Sequence, residues 1–102
     1  MALIAIASRT LAAGVTTEVW RVDKSRSNVT FAFADRSGSD QNIRLWFSPP
    51  DIIRIDDHAW IFDRKLPANS TLLFPLDKIT LQLGVIVWAY ASGGSVSFNV
   101  AD

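Results

Sequence analysis

The sequence of 102 residues contains no cysteine, which excludes disulfide bonds, thiolate metal ligands and cysteine nucleophiles together. It has one histidine, so the common transition-metal sites are poorly supplied with ligands. Ten Lys and Arg balance ten Asp and Glu, which removes a general attraction to nucleic acid or anionic membranes. No apolar run approaches the ~18 residues of a membrane-spanning helix. We therefore predict no metal, no cofactor, no nucleic-acid partner and no membrane partner.

The one histidine lies in an acidic stretch. His58 follows Asp56 and Asp57, and a carboxylate can orient an imidazole for acid–base or metal chemistry. Asp51 and Asp63 are further oxygen ligands for a hard cation, but no segment has the spaced Asp and Asn residues of a calcium loop. We interpret the stretch around His58 as a structural turn rather than as a site.

Serines are plentiful, but none lies in a Gly-x-Ser-x-Gly elbow, and no glycine-rich phosphate loop is present. The pair Gly93-Gly94 lies between two predicted strands and is interpreted as a reverse turn that needs positive φ. Tripeptides beginning at Asn28 and Asn69 match the glycosylation pattern, which carries no weight without a secretory route. With no nucleophile beside a base and no metal set, we predict no catalytic residues and no enzyme activity.

Hydrophobic residues make up 49% of the chain, which is enough for a single folded domain over residues 1–102. They recur with a period of two, no segment has an apolar stripe at helical spacing, and turn signals recur after about 6 to 12 residues. This pattern predicts an all-β protein, an antiparallel β-sandwich of jelly-roll-like form with eight or nine short strands. A small closed barrel is the alternative.

Several local expectations follow from the same pattern. Residues 1–8 are apolar but lack the basic start of a secretory signal, so we predict a first strand there. Residues 10–14 and 24–27 are predicted turns. The loop 36–41 is predicted to close a hairpin between strands 28–35 and 42–47. In the segment 79–83 the predicted apolar row contains Ile79, Leu81 and Leu83.

The aromatic residues are the most informative feature of this sequence. Trp46, Trp88 and Tyr90 fall on rows opposite the cleaner hydrophobic rows of their strands, so both faces of those strands carry large apolar groups. Either another layer of this chain or a partner must cover them, because a large exposed aromatic patch is rare on a monomer. We predict these three residues as a partner interface. The contrasting predicted core consists of Trp20, Phe31, Phe33 and Phe98.

Four segments of the second half carry a resemblance. They are Leu-Pro-Ala-Asn-Ser-Thr-Leu at 66–72, Ile-Thr-Leu-Gln-Leu-Gly at 79–84, residues 85–91, and Val-Ser-Phe-Asn-Val at 96–100. These segments resemble small β-sandwich structural proteins of tailed bacteriophages. The resemblance implies a non-enzymatic virion protein on the capsid surface, assembled in the host cytoplasm. The implied role is a decoration (cement) protein that binds the major capsid protein, stabilises the head and forms homo-oligomers.

Two alternatives stay open. The same resemblance is compatible with a tail, baseplate or fibre component. A carbohydrate-binding module is the alternative of another class, in which Trp46, Trp88 and Tyr90 would form a stacking platform for sugar rings.

Overall fold

The computed structural model describes residues 5–49, 59–76 and 80–101. Within these ranges it contains ten β-strands, and no described residue belongs to a helix that could cross a membrane. The strands are β1 (Ala5–Leu11), β2 (Thr17–Arg21), β3 (Arg26–Ser27), β4 (Thr30–Asp35), β5 (Gln41–Ser48), β6 (Ala59–Leu66), β7 (Thr71–Pro75), β8 (Thr80–Leu81), β9 (Ile86–Ala91) and β10 (Val96–Ala101).

The eight longer strands form two four-stranded antiparallel sheets. The first sheet has the order β1-β10-β4-β7, and the second has the order β2-β9-β5-β6. Their pairing is nested along the chain: β1 pairs with β10, β2 with β9, β4 with β7 and β5 with β6. This is the strand order of a jelly roll. The predicted antiparallel β-sandwich is confirmed, and the alternative of a closed barrel is wrong.

The predicted hairpin across the loop 36–41 is wrong. β4 pairs with β10 and β7 in the first sheet, whereas β5 pairs with β6 and β9 in the second. The loop therefore crosses the ~10 Å between two stacked sheets. The turn at Gly93-Gly94 crosses in the same way from β9 to β10. The alternation of apolar and polar residues shows which side chains of a strand share a face. It does not show whether two such strands pair in one sheet or lie in opposite sheets across the core.

A chain of polar side chains holds the crossing loop in place. Asp35 and Gln41 are both buried. The Ser37 hydroxyl donates to Asp35 Oδ1 at 2.6 Å, and Gln41 Nε2 donates to Ser37 Oγ at 2.9 Å. The Ser92 hydroxyl donates to Gln41 Oε1 at 2.9 Å, which links this loop to the second crossing turn. The loop between β4 and β5 is therefore held by a polar network and does not form a hairpin turn.

The glycine pair has a different role from the predicted one. Neither glycine has positive φ, and the left-handed residue of this turn is Ser95, at φ 63°. A Cβ on Gly93 would collide with the side-chain amide of Gln41. A side chain at Gly93 would therefore require the Gln41 side chain to shift out of its hydrogen bonds, whereas the backbone conformation of Gly93 does not itself favour glycine.

The core lies between the two sheets and contains the predicted aromatic set. Trp20, Phe31, Phe33 and Phe98 are all buried, as predicted. The Phe98 ring lies 5.5 Å from Phe31 and 4.9 Å from Phe33, centroid to centroid. Such ring pairs add about 0.5–1.5 kcal/mol to the burial of each ring.

Some local expectations differ from the structure. The predicted turn at 10–14 begins later, because β1 continues to the buried Leu11. The predicted polar turn at 24–27 contains the two-residue strand β3, which pairs with β8. Leu83 does not share a row with Leu81: β8 ends at Leu81, and Leu83 lies in the following turn with 65% of its surface exposed. Ile79 lies outside the described residues.

Candidate functional site

The three predicted interface residues lie together on the outer face of the second sheet. Trp46 on β5 is paired with Trp88 on β9, and Tyr90 on β9 is paired with Arg44 on β5. Phe62 on β6 lies at the edge of this group, with its ring 6.4 Å from Trp46 in an edge-on geometry. We call Arg44, Trp46, Phe62, Trp88 and Tyr90 the outer aromatic face.

One end of the outer aromatic face is closed within the chain itself. Trp46 is only 1% exposed, although it does not belong to the core between the sheets. Ser48 and Ile86, which are paired next to it, are also buried. The Trp88 Nε1–H donates to Ser48 Oγ at 2.8 Å. This bond satisfies the indole N–H of half-buried Trp88 and gives the buried Ser48 hydroxyl a partner. Trp46 therefore offers almost no area to a partner, and the contact area is left to the other members.

The other end of the outer aromatic face is organised around Arg44. Its guanidinium carbon lies 4.2 Å from the centroid of Phe62 and 4.6 Å from that of Tyr90, so the cation stacks between two rings. The same guanidinium contacts Asp63 in a two-point ion pair, with Nε to Oδ1 at 2.7 Å and Nη2 to Oδ2 at 3.3 Å. Two rings and one carboxylate together hold this arginine in a single orientation.

A bulge in β6 places Phe62 and Asp63 at this end. Ile43 is paired with Arg64 and Leu45 with Ile61, so β6 has one residue more than β5 over this interval. Asp63 has φ 53°, a left-handed conformation that Asp adopts more readily than most residues. Sequence reasoning missed Phe62, and it considered Asp63 only as a cation ligand and not as the partner of Arg44, because the bulge breaks the two-residue alternation. The feature of the sequence that could have indicated this end of the face is Arg44, which lies on the same row of β5 as Trp46.

The charges around the outer aromatic face neutralise one another. Glu18 on the neighbouring strand β2 is paired with Trp88, and its carboxylate forms an ion pair with Arg21 at 3.0 Å. Arg44 is neutralised by Asp63. Phe62 is 49% exposed beside these pairs, and Trp88 and Tyr90 are half-buried. Among the described residues, the accessible part of the face is therefore aromatic, its charges are paired, and Arg44 is held in place.

The acidic candidates give no site in the described part of the chain. Asp51, Asp56, Asp57 and His58 lie outside the described residues. Asp63, the other proposed cation ligand, is bound to Arg44. Among the residues that the structure describes, no three of His, Cys, Asp and Glu lie close enough to hold a metal ion.

Asp40 connects its own loop to the end of β6 and to the turn that follows β6. The Ala68 N–H donates to Asp40 Oδ1 at 2.9 Å, and Lys65 Nζ lies 3.0 Å from Asp40 Oδ2. The hydrogen bond from Ala68, with a smaller contribution from Lys65, holds the pKa of Asp40 below its usual value. Asp40 is therefore a loop clamp that works in its ionised form.

Comparisons with family models, curated proteins and solved structures found no match to this chain. They therefore lend no support to any family, including the phage proteins that the sequence resembles.

Proposed function

We propose that this chain is a non-enzymatic structural protein of a phage virion, a capsid decoration protein that binds the major capsid protein through the outer aromatic face. The observation that carries the binding role is the arrangement around Arg44, in which the guanidinium is stacked between Phe62 and Tyr90 and paired with Asp63. Arginine and aromatic residues dominate the binding energy of protein interfaces, especially where they are held in place before the partner arrives.

The fold supports this proposal by analogy. Jelly rolls with two four-stranded sheets recur in viral capsid proteins and in lectins. A fold hosts many functions, so this likeness is consistent with a virion role but assigns no residue to it. The virion role itself stems from the sequence resemblance in residues 66–100, and the outer aromatic face is the surface that it would use.

The balanced charge is consistent with a repeated surface protein. Ten basic and ten acidic residues give a formal net charge of zero. Many copies of a strongly charged subunit would repel one another at the short spacings of a capsid lattice, whereas neutral subunits pack without this cost.

The geometry gives a protein partner more support than a sugar. A stacking platform for sugar rings needs open ring faces. Trp46 is buried, and the Arg44 guanidinium already covers the rings of Phe62 and Tyr90. Trp88 and Tyr90 are both half-buried. Because the guanidinium already lies over the Tyr90 ring, these two residues form a poor platform. The carbohydrate-binding alternative is therefore the weaker one.

The location is tested by mass spectrometry of virions separated into heads and tails. We expect the chain in heads, at a copy number comparable with that of the major capsid protein. Its presence in tails alone would assign it to the tail, baseplate or fibre, and its absence from both fractions would overturn the virion proposal.

The binding surface is tested by adding the purified protein to heads that lack it. Phe62→Ser removes the exposed ring of the outer aromatic face, and we expect it to weaken head binding about tenfold or more. Val15→Ser is the matched control, because Val15 is 51% exposed and lies in the turn before β2. Equal binding by both variants would show that the partner docks elsewhere. A change in tryptophan fluorescence on adding polysaccharide would instead favour the sugar-binding alternative.

A further inference from the structure

The four outer strands of the two sheets differ in how their open edges are protected. β1 and β2 each contain a register shift, and each carries charge: Arg9 on β1 donates to the Glu18 carbonyl, and Glu18 pairs with Arg21 on β2. β6 contains two register shifts and the charged run 63–65. Bulges, charges, prolines and very short strands are the usual devices that prevent an edge strand from pairing with another chain.

β7 has no register shift and no charge, and its one residue of this kind is Pro75 at its end. Its five residues, Thr-Leu-Leu-Phe-Pro, carry no charge and pair with β4 in an unbroken register from Thr71 to Pro75. Leu73, at its centre, is 62% exposed. Thr71 and Pro75 are exposed like Leu73. The Arg64 guanidinium lies 5.9 Å from the ring of half-buried Phe74, which is on the core side of the strand. In the described part of the chain no strand pairs with the outer side of β7, so this edge is neutral and regular up to Pro75.

The ladder with β4 determines which backbone groups of β7 point to the open side. The Asp35 N–H donates to the Ser70 carbonyl at 2.8 Å, and the Leu76 N–H donates to the Val29 carbonyl at 2.8 Å. Hydrogen-bonded pairs recur at every second residue of an antiparallel ladder, so the residues of β7 in the same phase bond to β4. The residues in the opposite phase direct their backbone groups outward: Thr71, Leu73 and Pro75.

These outward groups are complementary to a second copy of themselves. In an antiparallel pairing with Leu73 opposite the partner's Leu73, each Leu73 N–H reaches the other's carbonyl. Each Thr71 N–H then reaches the carbonyl of Pro75 across the twofold axis. Pro75 has no N–H to offer, which ends the ladder there. Opposed side chains are leucine with leucine, and half-buried Leu72 with Phe74, so no like charges meet.

We propose that β7 is the strand through which two copies of this chain pair edge to edge, joining their first sheets into one continuous eight-stranded sheet. This inference does not depend on the proposed function, because it uses the edge of the first sheet and not the outer aromatic face.

Sedimentation equilibrium over a concentration series tests the pairing. We expect the mass to rise from 11.3 kDa towards twice that value. Leu73→Pro removes the outward N–H and leaves the ladder with β4 intact, and Leu73→Lys adds a charge opposite its own copy. Both should weaken dimerisation about tenfold or more, with folding checked by circular dichroism. Leu83→Lys is the matched control, because it changes an equally exposed leucine outside β7.

A cross-link reports the register directly, since the chain has no cysteine of its own. Hydrogen-bonded partners in an antiparallel ladder have Cα atoms about 5.5 Å apart, within the range of a disulfide. Leu73→Cys should therefore form a disulfide-linked dimer on mild oxidation. In Thr71→Cys the two cysteines would be roughly 13 Å apart, so that variant should stay uncross-linked. A wild-type chain that stays monomeric at every soluble concentration, or a dimer that persists in Leu73→Pro, would overturn the proposal.

Discussion

Replacing Trp46 separates burial within the chain from burial by a partner. The ring is 1% exposed in the isolated chain, so Trp46→Ser should remove its full burial and leave a cavity. Truncation of a buried Trp costs about 3–5 kcal/mol, out of the roughly 5–15 kcal/mol that stabilises a domain of this size. At about 4–8 °C per kcal/mol, the melting temperature should fall by roughly 12 °C or more.

Thermal denaturation followed by circular dichroism measures this change, and two variants make the comparison sharp. Trp46→Phe retains most of the apolar area and should recover more than half of the loss. Phe62→Ser removes a ring that is 49% exposed, so it should cost only about 1–2 kcal/mol, including its contact with Arg44. A melting temperature for Trp46→Ser within about 5 °C of the wild type would refute the reasoning, because it would mean that this ring is stabilised by a partner and not by the chain.

Three further predictions concern the face, the crossing turn and the loop clamp. The double variant Trp88→Ser/Tyr90→Ser should stay folded by circular dichroism, because both rings are half-buried, while head binding is lost; a chain that fails to fold would place both rings in the core. Gly93→Ala should cost about 1–3 kcal/mol in urea denaturation, because its Cβ displaces the Gln41 amide, and an unchanged midpoint would contradict this. Asp40→Asn should be less stable than the wild type at neutral pH. Since the native pKa of Asp40 is held below its usual value, this difference should shrink as the pH falls through the native pKa. A constant difference from pH 7 to pH 2 would contradict the clamp.

The alternation of residue types was enough to predict the class of fold and most of its rows. Phe31 and Phe33 on β4 and Phe98 on β10 are buried as their spacing indicates. The partner of each strand was not predictable in the same way, because β4 and β5 face each other across the core although only a short loop separates them. Strand pairing depends on contacts between residues that are distant in sequence, and a local pattern does not contain them.

The candidate site was predictable in part. Trp46, Trp88 and Tyr90 share one face, as the row argument requires, but the same argument could not tell that the chain itself buries Trp46. It also missed Phe62, because a single extra residue in β6 moves that ring relative to its row. A bulge is a property of two strands together, and its trace in one strand is only an interruption of alternation.

The two proposed surfaces have a joint geometric consequence. Two copies whose edge strands pair antiparallel in one sheet are related by a twofold axis perpendicular to that sheet. Both copies therefore keep their second sheets on the same side. The outer aromatic faces of a β7-paired dimer would then point in the same direction, side by side. Two sites that face one way can engage two sites of a flat, repeating partner at once, which raises the overall affinity without any new contact. Leu73→Pro should accordingly weaken attachment to an assembled lattice while leaving binding to a single isolated partner subunit unchanged.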